Sequence, residues 1–158
     1  MNKFTTNIND YLKALKEEIE KLDGVLNCRR YKGQLTNESL QKIKLKLRNH
    51  DNCEAFIAVP SMQAEADKVT KRTYLTLLIQ VHIVGVTNAD KDDIGYSDAV
   101  NDVAVEIYNM IVDKGNVLSG MVQVGDPILG ALTNDYDAVE EKTRTTLSTI
   151  TFTQRLRT

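Results

Sequence analysis

The chain is predicted to fold as an α+β domain: a mostly antiparallel sheet with two to three helices packed on one face. Three observations lead there. Two segments carry apolar residues at three- and four-residue spacing, as amphipathic helices do. Two long segments alternate apolar and polar residues, as strands half covered by a core do. The strands follow one another in groups and do not alternate with helices, which favours a segregated α+β layout over a βαβ one. With 158 residues and 17.8 kDa, one domain spanning 1–158 is expected. Mass scaling gives roughly 18,000 Å² buried on folding, enough for a core without disulfides or metals.

The first helix is read over Ile8–Leu22, where Ile8, Tyr11, Leu12, Leu15, Ile19 and Leu22 form one stripe. Thr6 or Asn7 would cap it and Asp23-Gly24 would stop it. Lys16, Glu17, Glu18, Glu20 and Lys21 fall on the wet face. A short strand is expected over Val25–Tyr31, closed by Lys32-Gly33. Thr36-Asn37-Glu38 resembles a second helix start, with Leu40, Ile43 and Leu47 on one side. Segment 38–48 also alternates, Lys42, Lys44, Lys46 and Arg48 against Ile43, Leu45 and Leu47. As a strand it would put four cations on one face; as a helix it would spread them.

After the break at Asn49–Asn52, Cys53–Val59 reads as a strand ended by Pro60-Ser61, and 61–68 as a polar loop. Val69–Val86 has one apolar and one mixed face: Val69, Thr73, Leu75, Leu77, Ile79, Val81 and Ile83 against positions that include Thr70, Arg72, Tyr74, Thr76, Gln80 and His82. Unbroken, such a strand would run about 60 Å. Typical strands are far shorter, so it either bends or projects beyond its own domain. Thr87–Ile94 reads as a charged loop. A helix follows over Tyr96–Asp113, with Ala99, Val100, Val103, Ile107, Met110 and Ile111 as its stripe and Lys114-Gly115-Asn116 as its stop. A short strand Met121–Val124 then leads into Gly125-Asp126-Pro127. Leu132–Asp135 reads as a turn and Tyr136–Glu140 as a short strand. Lys142–Arg157 closes the chain as a Thr-rich strand anchored by Leu147, Ile150 and Phe152.

Net charge is −2, from 20 basic and 22 acidic side chains. Its distribution is uneven. Residues 1–50 hold 11 basic and 6 acidic side chains, a balance of +5, whereas 51–158 hold 9 and 16, a balance of −7. Such a chain can meet copies of itself head to tail. It lacks the basic excess of a dedicated DNA-binding domain. No window has the length and apolarity of a transmembrane helix, and Met1–Asn7 lacks the apolar run of a signal peptide. Cys28 and Cys53 could form a disulfide, but a domain this long needs none; reduced, partly buried thiols are expected.

Chemistry is sparse. His82 is expected on the mixed face of its strand, bonded to a cross-strand hydroxyl. His50, Asp51 and Cys53 have no second ligand cluster for a metal. Asp90, Asp92 and Asp93 resemble a calcium loop only in part: Gly95 falls at position six, but Asn101 stands where a bidentate Glu is needed. Gly115, Gly120, Gly125 and Gly130 fit no phosphate-binding pattern. No nucleophile motif is present, so neither enzymatic activity nor a cofactor is expected. Arg29, Arg30, Lys42, Lys44, Lys46 and Arg48 are the best nucleic-acid candidates, though Tyr31 is the lone aromatic among them.

Overlong strands with so little site chemistry suit an assembly protein, in which projecting strands pair with a neighbouring subunit. The layout resembles the small tail-terminator, or tail-completion, proteins of tailed bacteriophages. The resemblance rests on the helix Ile8–Leu22 followed by Gly24-Val25, the strand Tyr74–Gly85 and the helix bearing Tyr108. The closing passage Asn134-Asp135-Tyr136 and then Thr149–Gln154 completes it. It implies an α+β fold, and a homo-oligomeric ring, typically a hexamer, at the end of the tail tube. There the ring would end tube growth and support head–tail joining. It also implies a virion protein made in the bacterial cytoplasm, with tail-tube and neck proteins as partners, no membrane, no specific nucleic acid and no catalytic residues. Arg29, Arg30, Lys42, Lys44, Lys46, Arg48, Asp90, Asp92 and Asp93 are the candidate subunit or partner contacts. The loop at 60–72 and the Lys-rich segment 42–48 depart from the family's pattern, which keeps a head–tail neck protein as the alternative. A nucleic-acid-binding accessory protein using 29–48 is the more distant one.

Overall fold

The structure, a computed structural model, describes residues 3–30, 42, 53–88, 98–114, 128–140 and 143–157. Its elements are α1 (Lys3–Glu20), β1 (Val25–Arg30), β2 (Cys53–Ala66), β3 (Thr73–Asn88), α2 (Asp98–Lys114), β4 (Ile128–Glu140) and β5 (Thr143–Arg157). The strands form one five-stranded sheet in the order β1-β2-β3-β5-β4. The β1/β2 pair is parallel and the other three pairs are antiparallel. The fold is therefore α+β, with a mostly antiparallel sheet and helices packed against it.

One core joins the helices to one face of the sheet. Tyr11, Leu12, Leu15 and Ile19 of α1 are fully buried, as are Val100, Ala104, Ile107 and Ile111 of α2. They pack in one cluster with Ala55 and Ile57 of β2, Leu77, Ile79, Val81 and Ile83 of β3, and Ile150, Phe152 and Leu156 of β5. The described members of the two helical stripes are buried or partly buried as the spacing predicts, with Ala14 and Ala104 as additional members; the side chain of Ala99 lies outside the described set. The Tyr11 hydroxyl is buried without a hydrogen-bond partner among the described residues, and burial raises its pKa. On the wet face of α1, Lys16 Nζ lies 2.6 Å from Glu20 Oε1 and Lys21 Nζ 2.8 Å from Glu18 Oε1.

α1 begins earlier than expected. Phe4 stands four residues before Ile8 and continues the helical spacing backwards, so Thr6 and Asn7 lie inside the helix and do not cap it. Past its end, the Leu22 N–H donates to the Ile19 carbonyl and Gly24 takes φ +87°. That left-handed conformation is the one glycine adopts cheaply. It turns the Gly24 carbonyl to accept the Cys53 N–H at 2.7 Å, tying the end of α1 to the start of β2.

Four expectations are corrected. The strand beginning at Cys53 does not end at Pro60-Ser61, and 61–66 is not a loop. β2 runs to Ala66, and a register shift between Ala58 and Ser61 takes up Pro60, which has no N–H to pair. Val69–Arg72 does not belong to the next strand. It forms the turn after Asp67, whose Oδ1 accepts the N–H groups of Val69 (2.9 Å) and Thr70 (3.4 Å), and β3 runs from Thr73 through Thr87 to Asn88. Leu132–Asp135 is not a turn but the middle of β4, where its turn-prone residues pair with β5 from Leu132↔Ile150 to Asp135↔Leu147. Leu147 is not a core anchor, because its odd number puts it on the half-buried face with Thr149, Thr151 and Thr153, opposite Ile150 and Phe152.

The two long strands prove to be neighbours. β3 and β5 pair without a break from Tyr74↔Arg157 to Asn88↔Thr143. The last helix spans Asp98–Lys114. Of segment 38–48 only Lys42 is described, and it is helical. The expected helix start at 36–38, the remainder of the loop to 94, the strand 121–124 and the turn 125–127 lie outside the described residues.

Candidate functional site: an open sheet edge

The two halves of β2 have different surroundings. Cys53–Ile57 is flanked by β1 on one side and β3 on the other. Beyond Ile57, among the described residues β2 is paired only with β3. Cys53–Ala58 is buried on both faces, whereas every residue from Pro60 to Ala66 is exposed. Six residues, Ser61–Ala66, thus present about 20 Å of strand with one open edge. Met62 is 58 % exposed, and Val69, in the turn that follows, is 91 % exposed.

The arm is held in shape from its inner side. The Asp67 N–H donates to the Arg72 carbonyl at 2.8 Å, and Lys71 takes φ 55° to close the turn. The N–H groups of Val69 and Thr70 and the Thr70 hydroxyl hold the Asp67 carboxyl below its usual pKa. Arg155 of β5 reaches across β3: its guanidinium sits 4.2 Å from the centre of the Tyr74 ring, and its Nη2 lies 3.2 Å from Glu65 Oε2. Glu65, the single charge on the arm strand, is thereby engaged across the sheet, away from the open edge.

The sequence-predicted contact residues are only partly brought together. Arg29 and Arg30 end β1, both exposed, and as successive strand residues they point to opposite faces. Arg30 Nη1 donates to Asn9 Oδ1 of α1 at 2.7 Å. Lys42 is exposed. Lys44, Lys46, Arg48, Asp90, Asp92 and Asp93 lie outside the described residues. His82 meets its expected cross-strand hydroxyl, with Nδ1 2.9 Å from Thr149 Oγ1, and burial lowers its pKa. Cys28 and Cys53 are both reduced and buried, and burial pushes each thiol up to about 12.

The arm itself was missed from sequence. A signal was there, since Ser61, Gln63 and Glu65 alternate with Met62, Ala64 and Ala66. Pro60 and the small side chains mask it. Among the described residues, no group of three or more His, Cys, Asp or Glu side chains is placed to hold a metal, and no helix is long and apolar enough to cross a membrane. Comparison with protein-family models and with curated proteins finds no match to this chain.

Proposed function

We propose that this chain is a structural subunit that assembles with copies of itself into a ring closing a bacteriophage tail tube, as its resemblance to tail-terminator proteins implies. One observation carries the reading: the strand Ser61–Ala66 is exposed, pairs among the described residues with β3 alone, and is uncharged but for Glu65. Natural proteins guard an exposed edge with lysines, prolines or bulges unless it has a partner. Here Pro60 and its bulge precede the exposed stretch, and within that stretch Glu65 is the one charge. The β3–β5 ladder behind it supplies a stiff frame, and the opposite charges of 1–50 and 51–158 favour head-to-tail association.

The test is mass in solution by light scattering over a range of concentration and salt, with and without purified tail tubes, followed by electron microscopy of tube ends. Rings in solution or caps on tubes are expected, weakening as salt rises. A chain that stays monomeric and ignores tubes overturns the reading. Association indifferent to salt removes the part played by charge.

A further inference from the structure

The sheet has two terminal strands, and their directions and charges fit each other. On one side β1 covers β2 as far as Ile57, and among the described residues nothing pairs with the outer edge of the arm. On the other side β4 ends the sheet, and among the described residues its outer edge is unpaired. β2 runs antiparallel to β3, β3 to β5, and β5 to β4. β2 and β4 therefore point in opposite directions. When a second copy is placed beside the first by rotation about an axis along the strands, its β4 runs antiparallel to the arm, the geometry a ladder accepts most readily. Ala66 then faces the Ile128 end of that β4, and Ser61 its Glu140 end.

Charge follows the same order. The first seven residues of β4, Ile128–Asn134, carry no charge, and the arm carries only Glu65. Asp135, Asp137 and Glu140 come later in β4. Antiparallel addition takes them toward the step where β1 ends, where Arg29 and Arg30 stand exposed. The edge of β1 is a poorer target, because those two arginines and a register shift between Val25 and Asn27 interrupt it.

We infer that the arm strand Ser61–Ala66 receives the β4 strand of a second copy as an added antiparallel strand, so that one continuous sheet runs from subunit to subunit. The contact is heterologous, each copy giving one edge and receiving the other, and it closes into a ring when the rotation per subunit divides a full turn. The inference rests on the self-assembly proposed above and specifies its contact.

Cysteine cross-linking in the full-length chain tests it. The double variant Ala64→Cys/Thr133→Cys is oxidised under mild conditions, with the single variants beside it. Cys28 and Cys53 are buried and stay protonated at pH 8, so they are silent. A covalent ladder from the double variant, and monomer from each single variant, is expected. In parallel, Gln63→Pro and Ala64→Pro each delete one backbone N–H; alternation along the strand aims one of the two at the open edge. That variant should need at least tenfold more protein to assemble while melting as the wild type does. Wild-type assembly that neither proline weakens, without a ladder, overturns strand addition and leaves the ring intact. A dimer from Ala64→Cys alone means arm pairs with arm, which overturns the head-to-tail contact. A ladder of open filaments supports the contact and overturns the ring. A wild-type chain that is monomeric throughout overturns both.

Discussion

Cys53–Ala58 and Ser61–Ala66 are halves of one strand, pair with the same neighbour and differ in almost everything else. The first half lies between two strands and is buried on both faces. The second has one neighbour and is exposed on both. Backbone pairing with β3 is enough to make both halves strand, but burial depends on what lies over the sheet. A strand can therefore continue beyond its own buried stretch, provided its partner continues too. β3 does, because β5 pairs with it all the way to Arg157. The arm is thus held by backbone pairing on one side while its side chains stay exposed.

The sharpest way to break this comparison is to truncate one apolar residue on each side of Pro60. Ile57 is 2 % exposed and sits in the main cluster. Ile57→Ala should cost about 2–5 kcal/mol, read as a lower urea midpoint. The next effect tests how the buried half is tethered. Gly24→Ala would place a Cβ 3.2 Å from Val103 Cγ2 at a φ of +87°. Strain and crowding together should cost about 1–2 kcal/mol by thermal melting. No loss would mean that the turn feeding β1 relaxes freely.

A third, smaller effect concerns pH. His82 pairs with Phe56 opposite the buried half, and burial holds its pKa below the ordinary histidine value of about 6.5. The unfolded chain then binds the proton more readily than the folded one. The contribution is fully present above about pH 6.5 and is lost as pH falls toward the folded pKa. One proton limits the slope to about 1.4 kcal/mol per pH unit. Urea midpoints at pH 7.5 and 5.5 should fall further for the wild type than for His82→Gln. Equal falls would assign the acid sensitivity to carboxylates.

The smallest effect is expected on the arm. Met62→Ala should leave monomer stability within about 0.5 kcal/mol, since the side chain already faces water. A cost close to that of Ile57→Ala would show that the arm is folded back against its own core in solution.

Much of the covered region was legible in the sequence because its signals are local and repeated. Ile8 through Ile19 and Val100 through Ile111 keep helical spacing. Leu75 through Ile83 keep strand spacing, and His82 finds its hydroxyl where that alternation puts it. The candidate site was far less legible. Pro60 reads as a terminator, and only the pairing of Ser61–Ala66 with Leu78–Thr73 overrides it. Leu132–Asp135 reads as a turn, and only the Thr-rich β5 beside it makes it strand. Turn propensity amounts to a fraction of what a ladder of hydrogen bonds and side-chain pairs supplies, so a long partner strand wins.

By itself, then, the sequence determined the fold class, the stripes of α1 and α2, the half-covered β3 and the uneven charge. Each follows from spacing or composition within one segment. Tertiary structure alone decided that Arg155 reaches Tyr74 and Glu65 across the sheet, and that among the described residues the arm pairs with β3 alone. Those features depend on which segments become neighbours and where each ends, and neither is encoded in the period of any single segment.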